Sequence, residues 1–159
     1  MDSSLYLAVH PGYAFESDEY QELGLRPEDY FRHNHEFFGE FEKDLESDAD
    51  IAVMEETGTE YSRDYLGGLS EEVDHWFETV QGEAKLKYDN ADEFIDVVRG
   101  LDEEAVTVSG EIHNLCQGQA VQIIEYVAEK EDVDIDVRRG VVFPERPLQR
   151  DDNNDLEFV

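Results

Sequence analysis

Cys116 is the single cysteine in a chain of 159 residues, and it stands six positions after Gly110, where an apolar strand pattern gives way to a helical one. A thiol at or just inside a helix start meets unpaired N–H groups and the positive end of the helix dipole, both of which favour an anion. With a cation beside it to lower its pKa and a base to take its proton, such a thiol is a nucleophile. The same amides can hold an oxyanion. The competing reading of a lone cysteine is a small buried hydrophobe. One cysteine excludes an internal disulfide and a cysteine-rich zinc site, so packing alone holds the framework, and it points to an intracellular setting.

The elements that must position this thiol read as an α/β chain, in which short apolar runs alternate with helical stripes, the pattern of a mostly parallel sheet covered by helices on both faces. Leu5 to Val9 is a buried strand ended by His10-Pro11-Gly12. Pro27 starts a helix with Tyr30, Phe31, Phe37, Phe38, Phe41 and Leu45 on one side, a core or oligomer face, and Ile51 to Met54 is a second strand. Ser70 reads as the cap of a helix carrying Leu69, Val73, Trp76, Phe77 and Val80. Ala84, Leu86 and Tyr88 alternate with Lys85 and Lys87 as a third strand, and Asn90 with Glu93 reads as a capping-box start for a helix with Phe94, Val97, Val98 and Leu101. Ala105 to Val108 is a fourth strand, running through Ser109-Gly110 into a helix with Ala120, Ile123, Ile124, Val127 and Ala128 on one face. A last strand falls within Ile135 to Phe143, stopped by Pro144 and Pro147. Residues 1–148 thus form one three-layer α/β/α domain, and 149–159 read as an acidic tail whose Leu156, Phe158 and Val159 could dock on a neighbour. In such sheets ligands bind at the carboxyl ends of the strands, near the point where strand order reverses. That brings forward His10 after the first strand, Lys87 at the end of the third and Cys116 after the fourth.

Twelve basic against 42 acidic residues give a net charge of −30, which excludes an electrostatic nucleic-acid binder. Hydrophobic residues at 40% and aromatics at 11% are enough for a packed core, so the acidity belongs to a folded surface. Self-repulsion on that scale falls when the Debye length shrinks to about 3 Å near molar salt. With lysine only at 43, 85, 87 and 130, a salt-rich cytoplasm is the simplest setting, the alternative being an acidic protein with a basic partner. The N-terminus lacks the basic region and long apolar run of a signal peptide, and no 18-residue apolar stretch occurs, so neither export nor a membrane span is expected.

The segment Val106-Thr107-Val108-Ser109-Gly110-Glu111-Ile112-His113-Asn114-Leu115-Cys116 resembles the strand, glycine turn and cysteine-bearing helix of isochorismatase-like cysteine hydrolases, the superfamily that includes nicotinamidases. Ala8 to Phe15 is similar to that family's opening strand, which ends in Asp-x-Gln-x-x-Phe, with Phe15 at the phenylalanine; Ala84 to Lys87 followed by Phe94 resembles the segment bearing the catalytic lysine. The resemblance implies a three-layer fold, an oligomer and attack by Cys116 on the carbonyl of a small amide-like substrate. Lys87 would stabilise the thiolate, with Lys85 its competitor. A non-proline cis bond would lie just after Gly110, and Gly110, Glu111, Ile112 and His113 would frame the substrate and oxyanion.

Departures from the family pattern are as informative. His10 occupies the position of the catalytic aspartate and Gly12 that of the glutamine, so the base would be an imidazole, or Glu111 beside the turn. The nicotinamidase metal site has no counterpart in Met54 to Glu60, and His33, His35, Glu36 and Glu40 lie on a surface helix, so no metal or other cofactor is expected. Two readings remain: a cysteine hydrolase acting on a C–N or related bond, and a catalytically inactive protein of the same fold serving as a structural or assembly subunit in a halophilic cell or its virus.

Overall fold

The computed structural model describes residues 3–159. In chain order the elements are β1 (Leu5–Val9), α1 (Tyr13–Glu16), α2 (Pro27–Leu45), β2 (Asp50–Glu56), α3 (Tyr61–Leu66), β3 (His75–Thr79), α4 (Ala91–Arg99), β4 (Glu104–Glu111), α5 (Cys116–Lys130), β5 (Ile135–Phe143), β6 (Leu148–Arg150) and β7 (Leu156–Phe158). The first five strands form one sheet in the order β3-β2-β1-β4-β5, with every pairing parallel. Helices cover both faces, so the molecule is a three-layer α/β/α sandwich.

β1 is buried along its whole length and lies at the centre of the sheet, where both faces must be apolar. Its side chains alternate in the period of a strand. Leu5, Leu7 and Val9 join Ala52, Met54, Val106 and Val108 under Phe94 and Val98 of α4 and Ala120 and Ile124 of α5. Tyr6 and Ala8 join Ile51 and Val53 under Phe37 and Phe41 of α2 and Leu66 of α3. No helix among the described residues is long and apolar enough to cross a membrane.

One carboxylate ties the α2 layer to three strands. Glu40 accepts hydrogen bonds from the Tyr6 hydroxyl at 2.8 Å, the Ser109 hydroxyl at 2.5 Å and the Val141 amide at 3.1 Å. Gly140 makes room for it, because a Cβ there would lie 2.1 Å from the Ser109 Oγ and 2.7 Å from the Glu40 carboxylate. Glu40 is thus a structural carboxylate.

Four expectations need correction. The third strand is His75–Thr79, paired with Ala52 to Glu56, and the segment before it is only a 3-10 turn over Gly67–Glu72. Val73, Trp76, Phe77 and Val80 have the i, i+3, i+4, i+7 spacing of a helix, but over so short an apolar run spacing does not separate a helix from a buried strand. Residues 80–87 fold back along β3: the Val80 amide donates to the Lys85 carbonyl at 2.9 Å, the Lys87 amide donates to the Glu78 carbonyl at 3.0 Å, and Leu86 makes a single antiparallel bridge to Thr79. Asn90 makes no side-chain cap, since a 3-10 turn over Tyr88–Asn90 leads directly into α4.

The acidic end is a β-hairpin, not a tail. β6 and β7 pair antiparallel, and Leu148 is fully buried against Tyr20, Ile112 and Phe143. The Asp151-to-Asp155 run makes the turn, because the Asp151 carboxylate accepts from the amides of Asn153 at 2.8 Å and Asp155 at 2.9 Å. Asp and Asn bonding their own backbone is turn chemistry, and from composition it looks the same as a solvated run.

Candidate functional site

Strand order reverses beside β1, with β2 on one side and β4 on the other, so the carboxyl ends of these three strands frame the crevice where ligands bind in open α/β sheets. β1 delivers His10, β2 delivers Glu56, and β4 delivers Glu111 and the entry to α5. Gly110 sets the geometry of that entry. Its φ is +112°, and a Cβ would sit 2.1 Å from the Val9 carbonyl oxygen, so only glycine lets β4 pass this close to β1. The peptide bond that follows Glu111, between Glu111 and Ile112, is cis.

Cys116 is the first residue of α5 and 7% exposed. It lines a cavity of about 200 Å³ together with Tyr13, Glu56, Ile112, Gln119 and Arg150. Of the first four amides of α5, those of Gln117 and Gln119 donate to the carbonyls of Ile112 and Leu115, at 3.1 and 2.7 Å. Those of Cys116 and Gly118 make no such bond among the described residues, and this leaves two unpaired donors in the first turn of α5. Burial pushes the Cys116 thiol up to about 12, with the Glu56 charge adding to the rise. The Ile112 amide and Arg150 only partly oppose it. At rest the sulfur is a thiol.

Glu56 is the residue that sequence reasoning missed. It is buried at the end of β2, where the Gly82 amide donates to its Oε2 at 2.8 Å and the Tyr61 hydroxyl donates to its Oε1. Its charge reaches both Cys116 and His10. The sequence pattern ends the second strand at Met54, so Glu56 falls beyond it with no periodic signal. The one available cue was its place at the end of a strand next to the first.

His10 is buried and turned elsewhere. The Thr79 hydroxyl donates to the Glu55 carbonyl at 3.3 Å, so the His10 Nε2–H donates to that hydroxyl at 2.7 Å. Burial lowers its pKa to about 4, against the attraction of Glu56. Lys87 is not brought to the sulfur. Because its segment runs backwards along β3, its ammonium pairs with Glu78 at 3.5 Å and donates to the Thr57 hydroxyl at 3.4 Å. Lys87 and Lys85 both line a groove between α4 and α5. His113 donates Nδ1–H to the Pro144 carbonyl at 3.2 Å and accepts from Arg139, which fastens the turn before α5 to β5. Phe15 is 47% exposed and stacks on Tyr65 with centroids 5.5 Å apart, outside the cavity. Among the described residues no group of three or more His, Cys, Asp or Glu is arranged to hold a metal ion.

Glu111 points away from the sulfur, to the other face of β4's end. It is fully buried, accepts from the Ala14 amide at 3.4 Å and lies 3.6 Å from His33 Nε2. Burial raises its pKa to about 8 and lowers that of His33 to about 4, so near neutral pH the two face each other uncharged. Their titration sets a pH dependence together with His10. Unfolded histidines bind protons that these two refuse, so stability is lost as pH falls from about 6.5 towards 4. Folded Glu111 keeps a proton that the unfolded chain releases, so stability is also lost as pH rises from about 4.5 to 8. From these groups the melting temperature peaks near about pH 6.5. Glu111→Gln flattens the alkaline side in a thermal scan between pH 6.5 and 8; a variant that still declines like the parent would sink this account.

No family model matches the chain, and neither a curated protein nor a solved structure matches it.

Proposed function

We propose that this protein is a cysteine hydrolase that cleaves the C–N bond of a small amide-like molecule, with Cys116 as nucleophile and Glu56 as base. The observation that carries the reading is the single cavity shared by the Cys116 thiol and the buried Glu56 carboxylate, next to the open amides at the start of α5. As the sulfur attacks the substrate carbonyl, its proton passes to Glu56 and the amides of Cys116 and Gly118 hold the oxyanion. When the C–N bond breaks, the proton goes from Glu56 to the leaving nitrogen. Water, deprotonated by Glu56, then cleaves the thioester and returns the thiol with a carboxylic acid product. With the thiol raised to about 12 there is no resting thiolate, so the proton has to leave in the attacking step itself.

The likeness of Val106 to Cys116 to the isochorismatase-like pattern supports the same chemistry, with Glu56 supplying a carboxylate where His10 stands in place of the family's aspartate. The acidic surface supports a salt-rich cytoplasm as the setting. A second reading, an inactive assembly subunit of this fold, is favoured by the ion pair that holds Lys87 on Glu78.

The test is a screen of small amides and ureas at molar salt with the parent and Cys116→Ser, together with iodoacetamide alkylation of Cys116 against pH. Turnover that drops more than about a thousandfold in Cys116→Ser, and alkylation that climbs only above pH 9, are expected. Absence of turnover across the screen favours the assembly reading. Unchanged compactness in millimolar salt overturns the proposed setting.

A further inference from the structure

We infer that Arg150 anchors a carboxylate, and that the ligand of the Cys116 cavity is therefore a small monoanionic carboxylic acid carrying its amide within reach of the sulfur. The substrate class rests on the hydrolase reading; the anchoring of a carboxylate does not.

Arg150 is the one basic residue lining this cavity, and its charge reaches Cys116. It comes from β6, in the hairpin that follows the sheet, so the crevice between β1, β2 and β4 is completed by a segment outside the sheet. The hairpin is fastened on the sheet side by Leu148 and across its turn by Asp151. Arg150 itself is held in place, with Nη1 donating to the Asn154 carbonyl at 3.0 Å and Nη2 lying 3.5 Å from Glu19 Oε2. A guanidinium restrained at two nitrogens loses little further freedom on binding and keeps donors for an incoming oxygen pair. On a molecule of net charge −30, a cation at the mouth of a cavity is the feature that admits an anion at all.

The other charges set the limit. Glu56 and Glu83 also line the cavity and Glu19 already pairs with Arg150, so one guanidinium faces three carboxylates before a ligand arrives. Glu56 is already bonded by the Gly82 amide and Tyr61, and Glu83 lies exposed at the rim. A second negative charge on the ligand would meet repulsion without a partner, which excludes phosphates and dicarboxylates. About 200 Å³ is smaller than the roughly 300–1,000 Å³ of drug-sized pockets, so the ligand is a fragment of that scale.

The experiment compares N-acetylglycine with its neutral counterpart N-acetylglycinamide, and with N-acetylaspartate as the dianion, by NMR titration of the folded protein at constant high salt. N-acetylglycine is expected to bind at least tenfold tighter than either of the others, and Arg150→Gln to erase that difference while leaving the weak binding of the neutral compound unchanged. Arg150→Lys, which keeps the charge and loses the fork, should retain part of it and guards against a merely loosened hairpin. Equal affinity for acid and amide, or a preference that survives in Arg150→Gln, overturns the anchor. The same compounds are assayed for hydrolysis. Selective binding without turnover leaves the anchor standing and removes the hydrolase reading. Turnover of neutral amides as fast as acids, unaffected by Arg150→Gln, does the reverse.

Discussion

Replacing Gly110 by alanine is expected to abolish the folded state. The new methyl would lie 2.1 Å from the Val9 carbonyl oxygen and 2.7 Å from the Val9 amide nitrogen, both backbone atoms of the central strand, at a residue whose φ is +112°. Neither the clash nor the strain can be relieved by a side-chain rotation, so β1 and β4 must separate at the crevice. The cost belongs among the exceptional single substitutions, about 4 kcal/mol or more, which is a large share of a domain's total stability. Urea unfolding at molar salt measures it. Gly68→Ala is the control, since nothing lies within 4 Å of a Cβ there, and it should unfold like the parent. A Gly110→Ala protein with a cooperative transition within about 1 kcal/mol of the parent would show that the β1–β4 approach is softer than described.

Glu56→Gln is expected to move two readouts in opposite directions. The Glu56 charge helps hold the Cys116 thiol protonated. Removing it lowers the thiol pKa, and alkylation by iodoacetamide at pH 8 to 9 becomes faster. Hydrolysis should fall by roughly a hundredfold to ten-thousandfold, because the proton acceptor of both half-reactions is gone. A more reactive sulfur in a slower enzyme is the signature of a base, and structural damage alone would not produce it. If both rates fall together, Glu56 only supports the end of β2 through Gly82 and Tyr61. If hydrolysis persists, the base lies elsewhere.

The strands that run through the middle of the sheet were legible because burial on both faces leaves an uninterrupted apolar run, as in Leu5 to Val9 and Ala105 to Val108. β5 was legible from the prolines that end it. β3 was not, because Trp76 and Phe77 sit in a run too short to show one period over the other, and that error carried Lys87 to the wrong end of a strand. The position of Cys116 at a helix start could be read from Gly110 and the change of pattern. What stands around it could not. Glu56 shares a cavity with Cys116 because of strand register and the strand order β2-β1-β4, neither of which is written in a local pattern. Arg150 was hidden by a run of Asp and Asn whose hydrogen bonds to their own backbone make a turn, while their composition is that of a disordered end.

The order of the sheet also bears on how the chain comes together during synthesis. β1 emerges first and occupies the centre, yet it can pair only with β2 until β4 is made, after α3, β3 and α4. Its second edge, with the apolar side chains of Leu5 to Val9, stays unpaired over that interval. Glu40 likewise waits for Ser109 and Val141, so α2 is not locked to the sheet before β5 exists. The partly made chain therefore carries an open hydrophobic strand edge, which templates wrong pairings between nascent molecules. Closure of the fold is a late event that arrives with the C-terminal third.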